Sequence, residues 1–162
     1  MQAEANNSTG FLRQIRLIHF SMITGVVVFL VVCLYFTLSE SSQVQVDTEY
    51  TSQLFIITAV LTVVLLPASY VLFKRRLSGI KRDNIGLNQI LLPYKTAYLV
   101  KMSLIEMPAF FSIVVLLLTG NQWLLIQIIA VLLVMIINRP SAERIISELK
   151  LDRSQIQELQ NL

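Results

Sequence analysis

The chain has 162 residues, 55% of them hydrophobic and 14% charged, with a formal net charge of +3 and a mean hydropathy of +0.68. Soluble domains sit nearer ~45–50% apolar and ~25% charged, so the composition excludes an ordinary soluble fold and points to an all-α membrane protein. The lone Cys33 excludes an intramolecular disulfide and a thiolate metal site, and a Ser/His/Asp triad on the lone His19 is not expected because Asp47, Asp83 and Asp152 all lie in loops or tail with no context that suggests a reach to it.

The first apolar run, 17–38, follows Arg13 and Arg16. Those bases resemble the start of a signal peptide, but the run exceeds the ~7–15 residues of an ordinary signal core, so a retained membrane helix is expected after a cytoplasmic segment 1–16. The connection 39–53 carries Glu40, Asp47 and Glu49 and no base. Further apolar runs lie at 54–73, with Pro67 inside, at 97–118, with Pro108 inside, and at 123–138. A hydrocarbon core of ~30 Å takes ~20 helical residues, which the first three runs supply. The fourth is short, leaving open a thin crossing or an extension back through Gly120. Each span is helical because backbone amides in lipid must bond within their own segment. The expected organisation is one four-helix transmembrane bundle, 17–138, followed by a cytoplasmic tail, 139–162.

Every Lys and Arg outside the third helix falls in the N-terminal segment, in the connection 74–96 or in the tail. Positive-inside logic therefore places both termini in the cytoplasm, with Tyr35, Tyr50 and Trp123 near the outer interface and Tyr70, Tyr94 and Tyr98 near the inner one. Basic residues beside a bilayer attract anionic headgroups by ~1 kcal/mol each, which makes Lys74, Arg75, Arg76, Lys81 and Arg82 a candidate lipid-headgroup cluster. Ile85, Leu87, Ile90, Leu91 and Leu92 are expected to rest on the membrane surface behind them.

In the tail, Pro140 suits the first turn of a new helix. Ile145, Ile146 and Leu149 make an apolar stripe, with Arg144 and Glu148 paired four residues apart. Asp152 and Gln155 are placed to cap a second short helix bearing Ile156, Leu159 and Leu162. The expectation is two small amphipathic helices on the membrane, on the basic connection or on a partner.

The sharpest anomaly is Glu106, near the middle of the third helix. An acid there costs ~2.5–3.5 kcal/mol on insertion scales, an amount the surrounding Leu, Ile and Phe offset, and such groups commonly mark an ion or proton path. Pro108 frees the carbonyl of Leu104 close by, a possible acceptor for a protonated acid. Thr24, Thr62 and Gln127 are the polar residues expected nearest its depth, so Glu106, Pro108, Thr24, Thr62 and Gln127 form the candidate ion- or proton-binding set. Without a countercharge the acid is expected to be neutral. Such a group serves a proton carrier and also an inert helix clamp, and structural buried acids make the clamp the preferred expectation. Lys101, five residues earlier and about 140° around the helix, is expected to snorkel toward the cytoplasm.

The stretch SLIEMPAFFSIVVLLLTGN, 103–121, with Asn138-Arg139-Pro140-Ser141 after the last helix, resembles a widespread group of small four-helix bacterial inner-membrane proteins. Some of that group are in turn faintly similar to the proteolipid c or K subunits of rotary ATPases, whose ion-carrying carboxylate lies mid-helix. The resemblance implies a multi-pass inner-membrane protein and puts Glu106 on the corresponding helix. The chain departs from the proteolipid pattern: 54–73 holds no glycine for close packing, the connection 74–95 is about twenty residues, and both ends are expected inside.

Taken together, these residues lead to the expectation of a non-enzymatic structural or accessory membrane subunit, the alternative being a small transporter or proton-coupled component with Glu106 as carrier. Expected partners are membrane lipids and either a second copy or another membrane protein. No catalytic residue, metal, cofactor or nucleic-acid partner is expected.

Overall fold

In a computed structural model the protein is all-helical, with no strand among the described residues. The structure describes residues 2–38, 48–80 and 86–160, apart from the side chains of 2–9, 38, 48, 88, 154 and 158–160. Among the described residues six helices follow one another: α1 Gln2–Leu38, α2 Thr48–Ser78, α3 Leu87–Thr119, α4 Trp123–Ile137, α5 Ala142–Leu149 and α6 Arg153–Gln160.

Three helices are long and apolar enough to cross a membrane: α1 over Gly10–Thr37, α2 over Glu49–Ser78 and α3 over Gln89–Thr119. Helices α4 and α5, bent by 80° at the break between them, are a fourth candidate as a pair. Helix α4 alone has 15 residues, a rise of about 22 Å. Its start is fixed by the turn before it. Gly120 ends α3 in the left-handed region at φ 63°, its N–H bonding to Leu116 O at 2.8 Å, and Asn121 Oδ1 accepts from the Trp123 N–H at 3.1 Å. A left-handed glycine stops a helix, so α4 does not extend back through it.

Helix α3 is the hub, with α1, α2 and α4 each packed against it. Ile105, Ala109, Ile113 and Leu116 of α3, and Leu124, Ile128, Val131 and Met135 of α4, are fully enclosed. Helices α1 and α2 instead leave most of their apolar surface open, including Phe20, Val31, Ile56 and Val63. His19 lies beside Tyr98 and Phe29 against Phe110, so α1 runs parallel to α3 while α2 and α4 run against it. Hydroxyls along the spans are satisfied locally: Thr37, Thr62, Ser69, Ser112 and Thr119 each donate to a carbonyl three or four residues back.

The structure corrects several expected boundaries. Residues 2–16 are helical and continuous with the first apolar run in α1. Much of the connection 74–96 is helix: α2 runs on to Ser78 and α3 begins at Leu87, before Pro93. A proline that early removes only the donor for the carbonyl of Gln89, an exposed residue at the polar end. Leu87, Ile90 and Leu91 consequently belong to the enclosed core, and of the residues expected on the membrane surface Leu92 is exposed while Ile85 lies outside the described residues. In the tail, Pro140 precedes the helix. Ser141 is the N-cap of α5, its hydroxyl accepting from the Arg144 N–H at 3.2 Å, because it supplies a side-chain acceptor that proline lacks. The expected Arg144–Glu148 pair is present at 3.9 Å, and Gln155 Oε1 accepts from the Asp152 N–H at 3.1 Å before α6.

Ala109, enclosed on the hub helix, leaves no room for a larger side chain. Ala109→Leu is expected to destabilise the bundle by about 1–3 kcal/mol, read as a lowered unfolding midpoint in detergent micelles.

Candidate functional site

The densest polar chemistry lies at the end of the bundle where the Lys and Arg residues gather, and Lys101 is its centre. Lys101 is 3% exposed, so the expected snorkelling does not occur. Its Nζ donates to Asn138 Oδ1 at 2.8 Å and sits over the rings of Tyr70 and Phe73, 4.4 and 4.8 Å from their centroids. A cation is stabilised by the negative face of an aromatic ring, so one amide oxygen from α4 and two rings from α2 replace much of the ammonium's hydration.

Asn138 is shared by everything around it. Its Nδ2 donates to Tyr70 Oη at 2.6 Å and to Val134 O at 2.8 Å, while its backbone carbonyl accepts from Tyr98 Oη at 3.0 Å. Tyr98 Oη also lies 2.8 Å from His19 Nδ1. A phenol has one proton, and a carbonyl only accepts, so both bonds coexist when His19 Nδ1 carries the hydrogen and donates to Tyr98. Tyr94, stacked on Tyr98 with ring centroids 6.4 Å apart, donates to Glu148 Oε2 at 2.8 Å. Glu148 pairs with Arg144, whose Nη1 donates to Ile137 O at 3.1 Å. The network thus runs from α1 through α2, α3 and α4 to α5. Tyr94 and Tyr98 belong to this interior rather than to an interfacial belt, being fully buried.

The candidate set around Glu106 is arranged differently. Gln127 Nε2 donates to Thr58 O at 2.8 Å and to Thr62 Oγ1, while its Oε1 lies 3.2 Å from Thr58 Oγ1. These residues clasp α4 to α2. The Lys101–Asn138 bond sets the antiparallel register of α3 and α4, and eleven residues along each helix from that bond bring Gln127 level with Ser112. Glu106 lies six residues short of Ser112, about 9 Å away along the helix. Thr24 is exposed on the outward face of α1, beside Ser21, Gly25 and Val28. Pro108 is buried, its carbonyl accepting from Ser112 Oγ at 2.7 Å. Glu106 is half-buried and makes no hydrogen bond or ion pair among the described residues.

Lys74, Arg75 and Arg76 are exposed at the end of α2, and Arg75 and Arg76 line an open cleft with Gly79, Ile80, Gln89, Pro93 and Thr96. Lys81 and Arg82 lie outside the described residues. No group of His, Cys, Asp and Glu fit to hold a metal ion occurs among the described residues. The sequence reading missed Asn138 as the partner of Lys101 and Tyr98 as the partner of His19. One signal was available: three tyrosines, a histidine and a lysine share one end of a bundle with few other polar side chains. No protein-family model, curated protein or solved structure matches the chain.

Removing Asn138 strands the Lys101 ammonium. Asn138→Leu is expected to cost about 3 kcal/mol, since a buried charged donor loses its acceptor. Lys101→Met, which removes the charge but leaves the enclosed Asn138 Oδ1 without its donor, is expected to cost about 1 kcal/mol, less than Asn138→Leu, and the double variant, in which neither partner is stranded, is expected to recover most of the stability lost in Asn138→Leu. Unfolding midpoints of the two single variants and the double variant in detergent check this, and equal losses in both single variants would contradict it.

Proposed function

We propose that the chain is a multi-pass protein of a bacterial inner membrane, with four transmembrane helices and both termini cytoplasmic, acting as a structural or accessory subunit rather than an enzyme. The observation that carries this reading is the contrast between inside and outside. Among the described residues every enclosed side-chain nitrogen and oxygen has a hydrogen-bond partner, while α1 and α2 present broad apolar faces. A paired interior suits a structural core, and long apolar faces suit lipid and neighbouring helices. Helices α5 and α6 fit the same reading as amphipathic pieces on the cytoplasmic surface, with Ile145 and Leu149 turned inward and Glu143 and Arg153 exposed.

Orientation follows from the bases. In a Cys33→Ala background, Tyr50→Cys is expected to react with a membrane-impermeant maleimide in intact cells. Ser78→Cys and Lys150→Cys are expected to react only after permeabilisation. Reaction of Lys150→Cys in intact cells would overturn the assignment. The subunit reading predicts that the chain, extracted in mild detergent, elutes in a complex larger than its own 18.4 kDa plus the bound micelle, with itself or another membrane protein.

A second reading, a proton-coupled component with Glu106 as carrier, is favoured by one observation: the half-buried Glu106 has no partner among the described residues. The readings separate at this residue. A clamp tolerates Glu106→Gln; a carrier loses its coupled flux in Glu106→Gln and keeps part of it in Glu106→Asp. Carbodiimide labelling in nanodiscs, followed by mass spectrometry with Glu106→Gln as control, reports whether the carboxyl is protonated and reachable. Absence of labelling at any pH in the folded protein would remove the carrier reading.

A further inference from the structure

Helix α1 and the α4–α5 elbow leave a cleft of about 480 Å3 between them. Arg16, His19 and Phe20 form one wall and Arg139, Pro140 and Ser141 the other. Both arginines are exposed, and neither side chain makes a hydrogen bond or ion pair among the described residues. Among the described residues no carboxylate lines the space. Elsewhere at this end the basic side chains are partly occupied: Lys95 donates to Gln14 Oε1, Lys101 to Asn138, and Arg144 to Ile137 O beside Glu148.

His19 adds a third polar group. The residue is 6% exposed and its Nδ1 is held by Tyr98, which fixes the ring. No fully enclosed side-chain nitrogen or oxygen lacks a partner among the described residues, and His19 Nε2 has none, so Nε2 is open to the cleft that the ring lines. Two guanidinium forks lining one space, with an imidazole nitrogen at its wall and no acid beside them among the described residues, match the chemistry of a tetrahedral oxyanion. Ser141 is the N-cap of α5, so the positive end of that helix dipole borders the same space.

We propose that this cleft binds a phosphate group, held between Arg16 and Arg139. The site stands apart from Lys74, Arg75 and Arg76 and is independent of the subunit reading. Its depth suits the phosphodiester of an anionic phospholipid: Arg16 directly precedes the apolar run of α1, and Arg139 follows the C-cap of α4. Phe20, 71% exposed and one turn further into the span, offers an apolar wall for an acyl chain. A free phosphate or phosphomonoester carries the same oxyanion chemistry.

The test uses the full chain in nanodiscs of phosphatidylcholine with and without phosphatidylglycerol, counting retained lipid by native mass spectrometry. One phosphatidylglycerol retained per chain, not displaced by phosphatidylcholine, is expected. Arg16→Gln/Arg139→Gln is expected to weaken retention by about tenfold or more, while Arg75→Gln/Arg76→Gln keeps it. Arg16→Lys/Arg139→Lys, which keeps charge and loses the fork geometry, should fall between. The single glutamine variants repeat the comparison independently of the pair. A second arm adds millimolar inorganic phosphate to the protein in a neutral maltoside detergent and follows the unfolding midpoint. A rise in the wild type that is absent from the Gln pair identifies free phosphate as the source, and lipid retention without such a rise identifies the lipid. Unchanged retention in the Gln pair with no phosphate effect on the wild type overturns the proposal, as does equal loss in the Arg75→Gln/Arg76→Gln variant.

Discussion

A lysine ammonium removed from water has to be given something in exchange, and meeting that need for Lys101 dictates how the bundle is assembled. Its partners come from two other helices: the rings of Tyr70 and Phe73 on α2 and the amide oxygen of Asn138 at the end of α4. Hydrocarbon contacts between helices are nearly indifferent to sliding and rotation, because lipid is as apolar as leucine. A directional bond to a buried charge is not indifferent. The Lys101–Asn138 bond fixes the rotation of α3 and the register of α4 against it, and the two rings do the same for α2. Tyr98, one turn earlier on α3, extends the arrangement to α1 through His19.

Two features of the chain follow from that register. Helix α4 runs only from its turn beside Gly120 to the level of Lys101, where Asn138 must stop, so its 15 residues match the vertical distance between the two fixed points. The 80° bend then turns the chain across the end of the bundle, which brings Glu148 within reach of Tyr94. The short fourth run is in this sense set by chemistry at its end rather than by the thickness of a membrane. The Thr58–Thr62–Gln127 clasp has the complementary role higher up, joining α2 to α4 where no charge is present.

Much of this was legible in the sequence, and the parts that were not share a cause. Hydropathy located the apolar runs because burial in lipid is a one-dimensional property of a segment. It did not locate helix ends: Arg13, Lys74 and Pro93 reduce apolarity without breaking a helix, so α1, α2 and α3 extend beyond their apolar cores. Local chemistry was readable too. The Arg144–Glu148 pair and the Asp152–Gln155 cap depend only on spacing along one helix. Contacts between helices were the opposite case. Lys101 was read as snorkelling because nothing in its own segment marks the acceptor, which lies 37 positions away. Asn138 read as punctuation at the end of a span, when it is the residue that completes it. Glu106 was legible as an anomaly, but Gln127 was assigned to its depth without the α3–α4 register that the Lys101–Asn138 bond sets, and Thr24 without the rotation that leaves it exposed on α1.

The two ionisable residues near the middle of α3 therefore have opposite standing. Lys101 faces α2 and α4, is enclosed, and is bonded to a side chain that is itself bonded to two more groups. Glu106, about 140° around the same helix, is half-buried and has no partner among the described residues. An acid that served only to lock helices together would be expected to bond across an interface, as Gln127 and Asn138 do. Among the described residues Glu106 makes no such bond, so no contact between the helices described offsets its insertion cost. A half-buried carboxyl in that position differs from Lys101 in the one respect that fixes the bundle: it holds no neighbouring helix in register.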